Sequence, residues 1–240
     1  MPELINAYMK TNNSTQSAQT GPLLTGVLSL ALAVWWWLPG IPVVAAEESV
    51  TPEKALEQLL EGNQRFVANT VKRPHQNLER RKELTKGQAP FAIILTCSDS
   101  RVSPEVVFDQ GLGDLFVIRN AGNLVDDHTL GSLEYAVEHL HASLVVVMGH
   151  GKCGAVSAAV GGGHAPGHIH SVVESIEPAV EQSKDQPGDK IDNAIRANAK
   201  RMADIINRVE PILNEAVKAG KLKVVAACYD LDSGEVKIIK

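Results

Sequence analysis

Four short runs of apolar and β-branched residues, 91–96, 115–119, 144–148 and 223–229, punctuate the chain and alternate with stretches of helical periodicity. Runs that are apolar throughout, rather than alternating with polar residues, predict strands covered on both faces; with helices between them they predict a parallel sheet. The first helix is expected over residues 51–68. Thr51 caps it, Pro52 and Glu53 suit its first turn, and Leu56, Leu59, Leu60 and Phe66 fall at helical spacing. A second follows over 77–86, stopped by Gly87. Residues 129–140 place Leu133, Ala136, Val137 and Leu140 on one side of a helix, 153–160 form a short helix, and 189–219 form one long helix or a pair broken at Pro211. After an Asp232-Ser233-Gly234 turn, residues 235–239 read as an edge strand. The expected fold class is therefore α/β: a mainly parallel sheet of four strands plus an edge strand, flanked by helices.

Composition narrows the picture. The 240 residues are 44% apolar and only 4% aromatic, which fits one Val/Ala/Leu-rich domain with a full core. A net charge of −5, from 23 basic and 28 acidic residues with no long run of either sign, gives no nucleic-acid surface and favours small solutes as partners.

Residues 1–46 differ from the rest. Glu3 and Lys10 are their only charges, residues 23–38 are almost wholly apolar, and Val43-Val44-Ala45-Ala46 offers small residues to a signal peptidase before Glu47. This reads as an export signal at 1–46 followed by the working domain at 47–240, with a periplasm or equivalent lumenal space as destination. The competing reading is an uncleaved membrane anchor, supported by Trp35-Trp36-Trp37 and by an amino-terminal stretch without net positive charge. Against it, the apolar run falls short of the roughly 20 residues that span a bilayer.

The chemistry concentrates in two segments, Cys97-Ser98-Asp99-Ser100-Arg101 and His150-Gly151-Lys152-Cys153, both expected at the carboxyl ends of strands, where open α/β sheets bind ligands. Two thiolates and an imidazole are a zinc-binding set, and three protein ligands leave the fourth tetrahedral position for water or substrate. Isolated Cys and His residues at strand ends are more often packing groups. Here, however, Asp99 and Arg101 follow an apolar run, where burying either charge is costly unless they meet each other or a metal. Cys228 lies inside an apolar run and reads as a small hydrophobe. Segment 161–170, with His164, His168 and His170 among Gly and Pro, reads as a solvated loop before it reads as a second metal site. In an exporting compartment, zinc would shield Cys97 and Cys153 as thiolates, and a Cys97–Cys153 disulfide is the oxidised, metal-free alternative.

Residues 97–102 (CSDSRV), 116–123 (FVIRNAGN) and 149–154 (GHGKCG) together closely resemble the β-class carbonic anhydrases, and the resemblance runs from about residue 51 to the carboxyl terminus. It implies one zinc per subunit held by Cys97, His150 and Cys153, with Asp99 and Arg101 as a catalytic dyad and Asp99 as an alternative fourth ligand in a closed, inactive form. Finer positions resemble the plant-type (type I) branch. By that resemblance Gln88, Phe116 and Gly154 contact substrate, Tyr135 is contributed across a dimer interface, and His139 falls where some members relay protons; its plain reading is an exposed helix residue. Ile94 stands where a bicarbonate-inhibited branch carries Trp, so no allosteric bicarbonate site of that type is expected.

The implied function is reversible hydration of carbon dioxide to bicarbonate and a proton, by a homodimer or tetramer whose amino-terminal helices pack on a partner. One alternative keeps the fold and the metal, hydrolysis of carbon disulfide or carbonyl sulfide; another, of a different class, is a non-catalytic zinc protein serving in an assembly. Membrane association is expected only if residues 1–46 stay attached.

Overall fold

A computed structural model describes residues 50–162 and 165–240; the expected export signal at 1–46 and His164 of the Gly/His-rich segment lie outside the described residues. The strands are β1 (Ala92–Cys97), β2 (Leu115–Asn120), β3 (Leu144–His150), β4 (Lys223–Tyr229) and β5 (Val236–Ile239). They form one sheet in the order β2-β1-β3-β4-β5. The first four are mutually parallel and β5 runs antiparallel to β4, as the apolar runs predict.

Side-chain alternation sends the strands' residues to two apolar layers. Ile93, Leu95, Val145 and Val147 face Leu133 and Ala136 of α4 (Asp127–Glu138), Met202 and Ile206 of α7 (Lys190–Arg208) and Leu213 of α8 (Ile212–Lys218). On the other face Ala92, Ile94, Val146 and Met148 pack with Phe108 and with Ala55 and Leu59 of α1 (Pro52–Val67). A third cluster, at the carboxyl edge of the sheet, gathers Cys97, Cys153, Val156, Ile176 and Ile195.

Helix α1 begins where its capping residues predict, with the Thr51 hydroxyl accepting from the Lys54 N–H at 3.3 Å. Its buried stripe is Ala55, Leu59, Gly62 and Asn63, with Leu56, Leu60 and Phe66 only partly covered, because the helix approaches its neighbours closely: a Cβ on Gly62 would lie 1.8 Å from the Phe108 carbonyl oxygen. The second expected helix is α2 (Leu78–Glu83) continued by a 3₁₀ turn (Leu84–Lys86), and a single turn, α3 (Pro104–Val107), follows β1. Helix α4 starts two residues earlier than periodicity alone places it, since Asp126 rather than a later residue caps it, accepting from Thr129 N–H at 2.8 Å. The 189–219 segment is the broken pair, α7 and α8, with Pro211 between them.

One feature departs from the sequence reading. A helix, α6 (Ile169–Ser183), follows α5 (Gly154–Gly161) where none was expected, so His170 and Ile169 open a helix rather than finish a loop. Pro178 inside α6 removes one intrahelical donor and masks the pattern, yet Val173, Ile176 and Ala179 keep one face buried.

Asn63 carries the junction of α1 with the rest. Its buried amide donates to the Val107 and Gly234 carbonyls at 3.1 and 2.9 Å and accepts from Val236 N–H at 2.8 Å. Asn63→Ala leaves three buried backbone groups without partners, and we expect urea denaturation to show a loss of about 2–4 kcal/mol.

Candidate metal centre

Cys97 is the last residue of β1 and His150 the last of β3, and the two strands are adjacent and parallel, so backbone pairing alone brings both to one edge of the sheet. The chain then turns through Gly151 and Lys152, the latter at φ 56°, and delivers Cys153 as the N-cap of α5. The turn is held by Gly151 N–H donating to the Tyr229 carbonyl of β4 at 2.9 Å. As a result the Cys97 and Cys153 sulfurs and a His150 ring nitrogen all lie within 4.8 Å of one another.

All three residues are buried, His150 completely. Its Nδ1 lies 2.9 Å from the Gly151 carbonyl oxygen, which makes that nitrogen the N–H donor and leaves Nε2 with a free lone pair. Nε2 is a buried nitrogen with no hydrogen-bond partner. A buried, unpaired imidazole lone pair beside two thiols is costly unless an electrophile sits there, and backbone-oriented His is the usual arrangement for a metal ligand. The neighbouring Cys153 thiol pulls the Cys97 thiol well below its ordinary value, while the same proximity and burial push Cys153 up. Gly122 N–H adds a bond to the Cys97 sulfur at 3.5 Å. Donor set, burial and separation therefore fit a zinc ion, which Cys97, His150 and Cys153 would hold.

Asp99 and Arg101 meet each other, although the guanidinium is half-exposed and only the carboxylate is largely covered. The guanidinium Nε and Nη2 donate to the two carboxylate oxygens at 2.9 and 2.7 Å, and the Arg101 backbone N–H adds a third bond at 2.9 Å. Arg101 also donates to the Lys152 carbonyl at 3.3 Å, tying the β1 loop to the β3 loop. Asp99 Oδ2 stands 3.9 Å from His150 Nε2, beside the ligand cluster but turned to the arginine. The Arg101 pair holds the Asp99 carboxyl well below the usual carboxylate range.

The remaining expected site residues divide by location. Gly154 opens α5 directly after Cys153, with open space where a Cβ would stand. Gln88, Phe116 and Tyr135 lie elsewhere. Gln88 is exposed before the amino end of β1, whereas Cys97 closes its carboxyl end, roughly 17–20 Å along the strand. Phe116 pairs with Ile93 near that amino end and stacks toward Tyr135, with ring centroids 6.4 Å apart. Tyr135, half-exposed, also faces His139, the C-cap of α4, at 5.2 Å. One chain thus brings Phe116, Tyr135 and His139 together, but away from its own thiols.

Cys228 is the buried small hydrophobe that its strand predicts; burial pushes its thiol up to about 11. Arg119 is a contributor that pattern reading misses: it donates to the carbonyls of Cys97 at 3.1 Å and Asp99 at 2.6 Å, fixing the backbone that carries both. In the sequence it shows only as a charged residue near the end of an otherwise apolar strand, inside the 116–123 motif.

Comparison with known proteins agrees with this geometry. A family model described as carbonic anhydrase matches residues 92–236. Carbonic anhydrase 2 of Mycobacterium tuberculosis is 40% identical over 190 residues, covering 78% of this chain and 92% of that protein. A carbonic anhydrase of Pseudomonas aeruginosa is 34% identical over 168 residues, covering 65% of this chain and 76% of its own length. Among solved structures, one of two tetrameric β-carbonic anhydrases from Sordaria macrospora superposes with a TM-score of 0.63 at 25% identity, covering 77% of this chain and 96% of that one. A Coccomyxa β-carbonic anhydrase in complex with acetazolamide gives 0.61 at 28% identity, covering 77% and 86%.

Because Arg101 depresses the folded-state pKa of Asp99, the pair's stabilisation is complete above the ordinary carboxylate value of about 4 and is lost as pH falls through the lower folded value. Asp99 should therefore stay ionised from pH 5 to 9. Carbon-detected NMR titration should place its midpoint below that of exposed carboxylates, and Arg101→Gln should move the midpoint upward.

Proposed function

The chain belongs to the β-class of the carbonic anhydrase family, and from that membership we propose a zinc-dependent enzyme of the plant-type branch that interconverts carbon dioxide and bicarbonate. The observation that carries this reading is the buried Cys97–His150–Cys153 set, with its unpaired His150 Nε2, beside the Asp99–Arg101 fork. Cys97, His150 and Cys153 would hold the metal. When bound, zinc acidifies a coordinated water so that hydroxide is available at neutral pH, which is the one reagent carbon dioxide requires.

The chain's own groups supply the rest. Asp99 Oδ2, within reach of the cluster, accepts a hydrogen bond from the nucleophile and turns its lone pair toward the carbon. Arg101 keeps that carboxylate ionised and aimed, and holds it off the cluster; were the fork to open, Asp99 would become the competing fourth ligand. The α5 amino end, beginning at Gly154, offers backbone N–H groups to an anionic product, and the apolar cluster of Val156, Ile176 and Leu124 suits a nonpolar gas.

We place Gln88, Phe116 and Tyr135 in the substrate pocket of a second copy. They lie at the opposite end of β1 and β2 from their own chain's thiols, so a pocket containing both groups needs two chains. Dimerisation through the amino-terminal helices satisfies this, and pairing of dimers would give a tetramer, the state of the Sordaria macrospora enzymes. His139, exposed against Tyr135, serves there as a proton relay to buffer. We assign residues 1–46 to an export signal and 47–240 to the exported enzyme, on the apolar run and small residues before Glu47.

Stopped-flow carbon dioxide hydration on the purified chain, with zinc measured on the same sample, tests the reading. Activity with about one zinc per chain is expected; zinc without hydration at pH 8, or hydrolysis of carbon disulfide instead, would overturn it. Cys97→Ala, His150→Ala and Cys153→Ala should each lose zinc and activity together. Asp99→Ala should keep the metal while turnover falls roughly 10²–10⁴-fold. Analytical ultracentrifugation should show at least a dimer, and a fully active monomer would remove Gln88, Phe116 and Tyr135 from the site.

A further inference from the structure

Asn198 sits on α7, fully buried, in a helix whose other buried residues are Ala194, Ile195, Ala199, Met202, Ala203 and Ile206. An amide in such a stripe is out of place unless both its ends are paired. Only one is: Nδ2 donates to the Gly122 carbonyl at 2.9 Å, while Oδ1 has no partner. For stability alone an apolar side chain of similar size would serve better, since it would strand no buried oxygen. The donor end therefore accounts for the residue.

What that end holds is a turn aimed at a metal ligand. Gly122 has φ +79°, a conformation only glycine adopts freely, and a Cβ there would lie 2.9 Å from Ile176 Cδ1. In this conformation its N–H points at the Cys97 sulfur at 3.5 Å. The turn is braced on its far side by Asn120, whose Oδ1 accepts from Leu124 N–H at 2.6 Å and whose Nδ2 donates to the Leu124 carbonyl at 2.8 Å. From α7, Asn198 reaches this turn by a hydrogen bond to a residue 76 positions away in sequence.

We propose that Asn198 is a positioning residue for the metal centre: by fixing the Gly122 carbonyl it orients the Gly122 N–H onto the Cys97 sulfur and so sets how firmly the site holds its metal and how much charge that sulfur donates. An N–H···S bond withdraws electron density from a thiolate, leaving the bound ion a stronger Lewis acid, and loss of a group that orients a ligand typically costs 10–100-fold in metal affinity. The inference rests on the zinc reading of Cys97, His150 and Cys153.

The test uses cobalt substitution and metal release rather than turnover. The full chain loaded with Co²⁺ should show sulfur-to-cobalt charge-transfer bands; their absence in the unmutated protein would refute the zinc reading itself. With the bands present, Asn198→Ala and the similarly sized, donor-free Asn198→Leu should both shift them and speed metal loss to a chelator by about 10–100-fold. Met202→Ala, on the same buried face of α7 but without a bond to the turn, should lower the melting temperature and leave bands and release rate unchanged. Bands and release rates equal to the unmutated protein in both Asn198 variants would overturn the proposal. So would a match between Met202→Ala and the Asn198 variants, which would reduce the effect to general destabilisation. Amide exchange in the unmutated, metal-loaded protein gives a variant-free check: Gly122 N–H should exchange slowly, and exchange at the rate of an open loop amide would also overturn it.

Discussion

Parallel pairing of β1 with β3 is the constraint from which the rest of the molecule follows. The ladder runs Ile93 with Val145 through Thr96 with Met148, so Cys97 falls level with Gly149, His150 comes one residue further, and the two strand-terminal residues emerge at the same carboxyl edge. Their separation is set by backbone hydrogen bonds and not by side chains finding one another. The ladder is in turn fixed by what covers it, an apolar layer on each face, since a slip of one residue would exchange the two sets of side chains. A rigid element carrying the donor atoms is what a metal site requires, because ligand geometry must survive thermal motion to retain the ion.

Charge is handled at that edge by division. The ligands themselves are buried and surrounded by Val156, Ile176 and Ile195, which keeps water and competing donors away. Asp99 and Arg101 stand just beyond them on the loop leaving β1, where the guanidinium remains half-exposed and its desolvation cost is small. Two arginines then hold this loop by different means: Arg101 through the Asp99 carboxylate and the Lys152 carbonyl, and Arg119 through the carbonyls of Cys97 and Asp99. Neutral backbone acceptors let Arg119 act without altering the charge of the carboxylate it supports.

The sheet also imposes a spatial separation. Its carboxyl edge holds the thiols, while Gln88 precedes its amino end and Phe116 and Tyr135 cluster near that end. A strand of six residues cannot bend these groups onto one site, so oligomerisation becomes a requirement of the proposed pocket and not an addition to it. That single geometric fact links the length of β1 to quaternary structure.

Much of this was legible from residue order. Apolar runs without alternation announced a covered parallel sheet, Thr51-Pro52-Glu53 announced the start of α1, and two thiols and an imidazole at strand ends announced a metal set, because each signal is local and periodicity reports burial directly. Helix α6 escaped because Pro178 and interspersed glutamates weaken its pattern, and only packing against α5 and α7 compensates for the lost donor. The contacts that finish the site are of another kind. Alternation by itself assigns Cys97 and His150 to opposite faces, and they meet only because both are terminal residues whose side chains reach past the edge of the sheet. Arg119 on the β1 loop, Gly122 on the Cys97 sulfur and Asn198 on Gly122 likewise join residues far apart in the chain. The sequence by itself determined which elements form and which donors stand at their ends. Tertiary structure alone decided which distant groups orient those donors, since such contacts depend on strand register and helix packing, which no local pattern encodes.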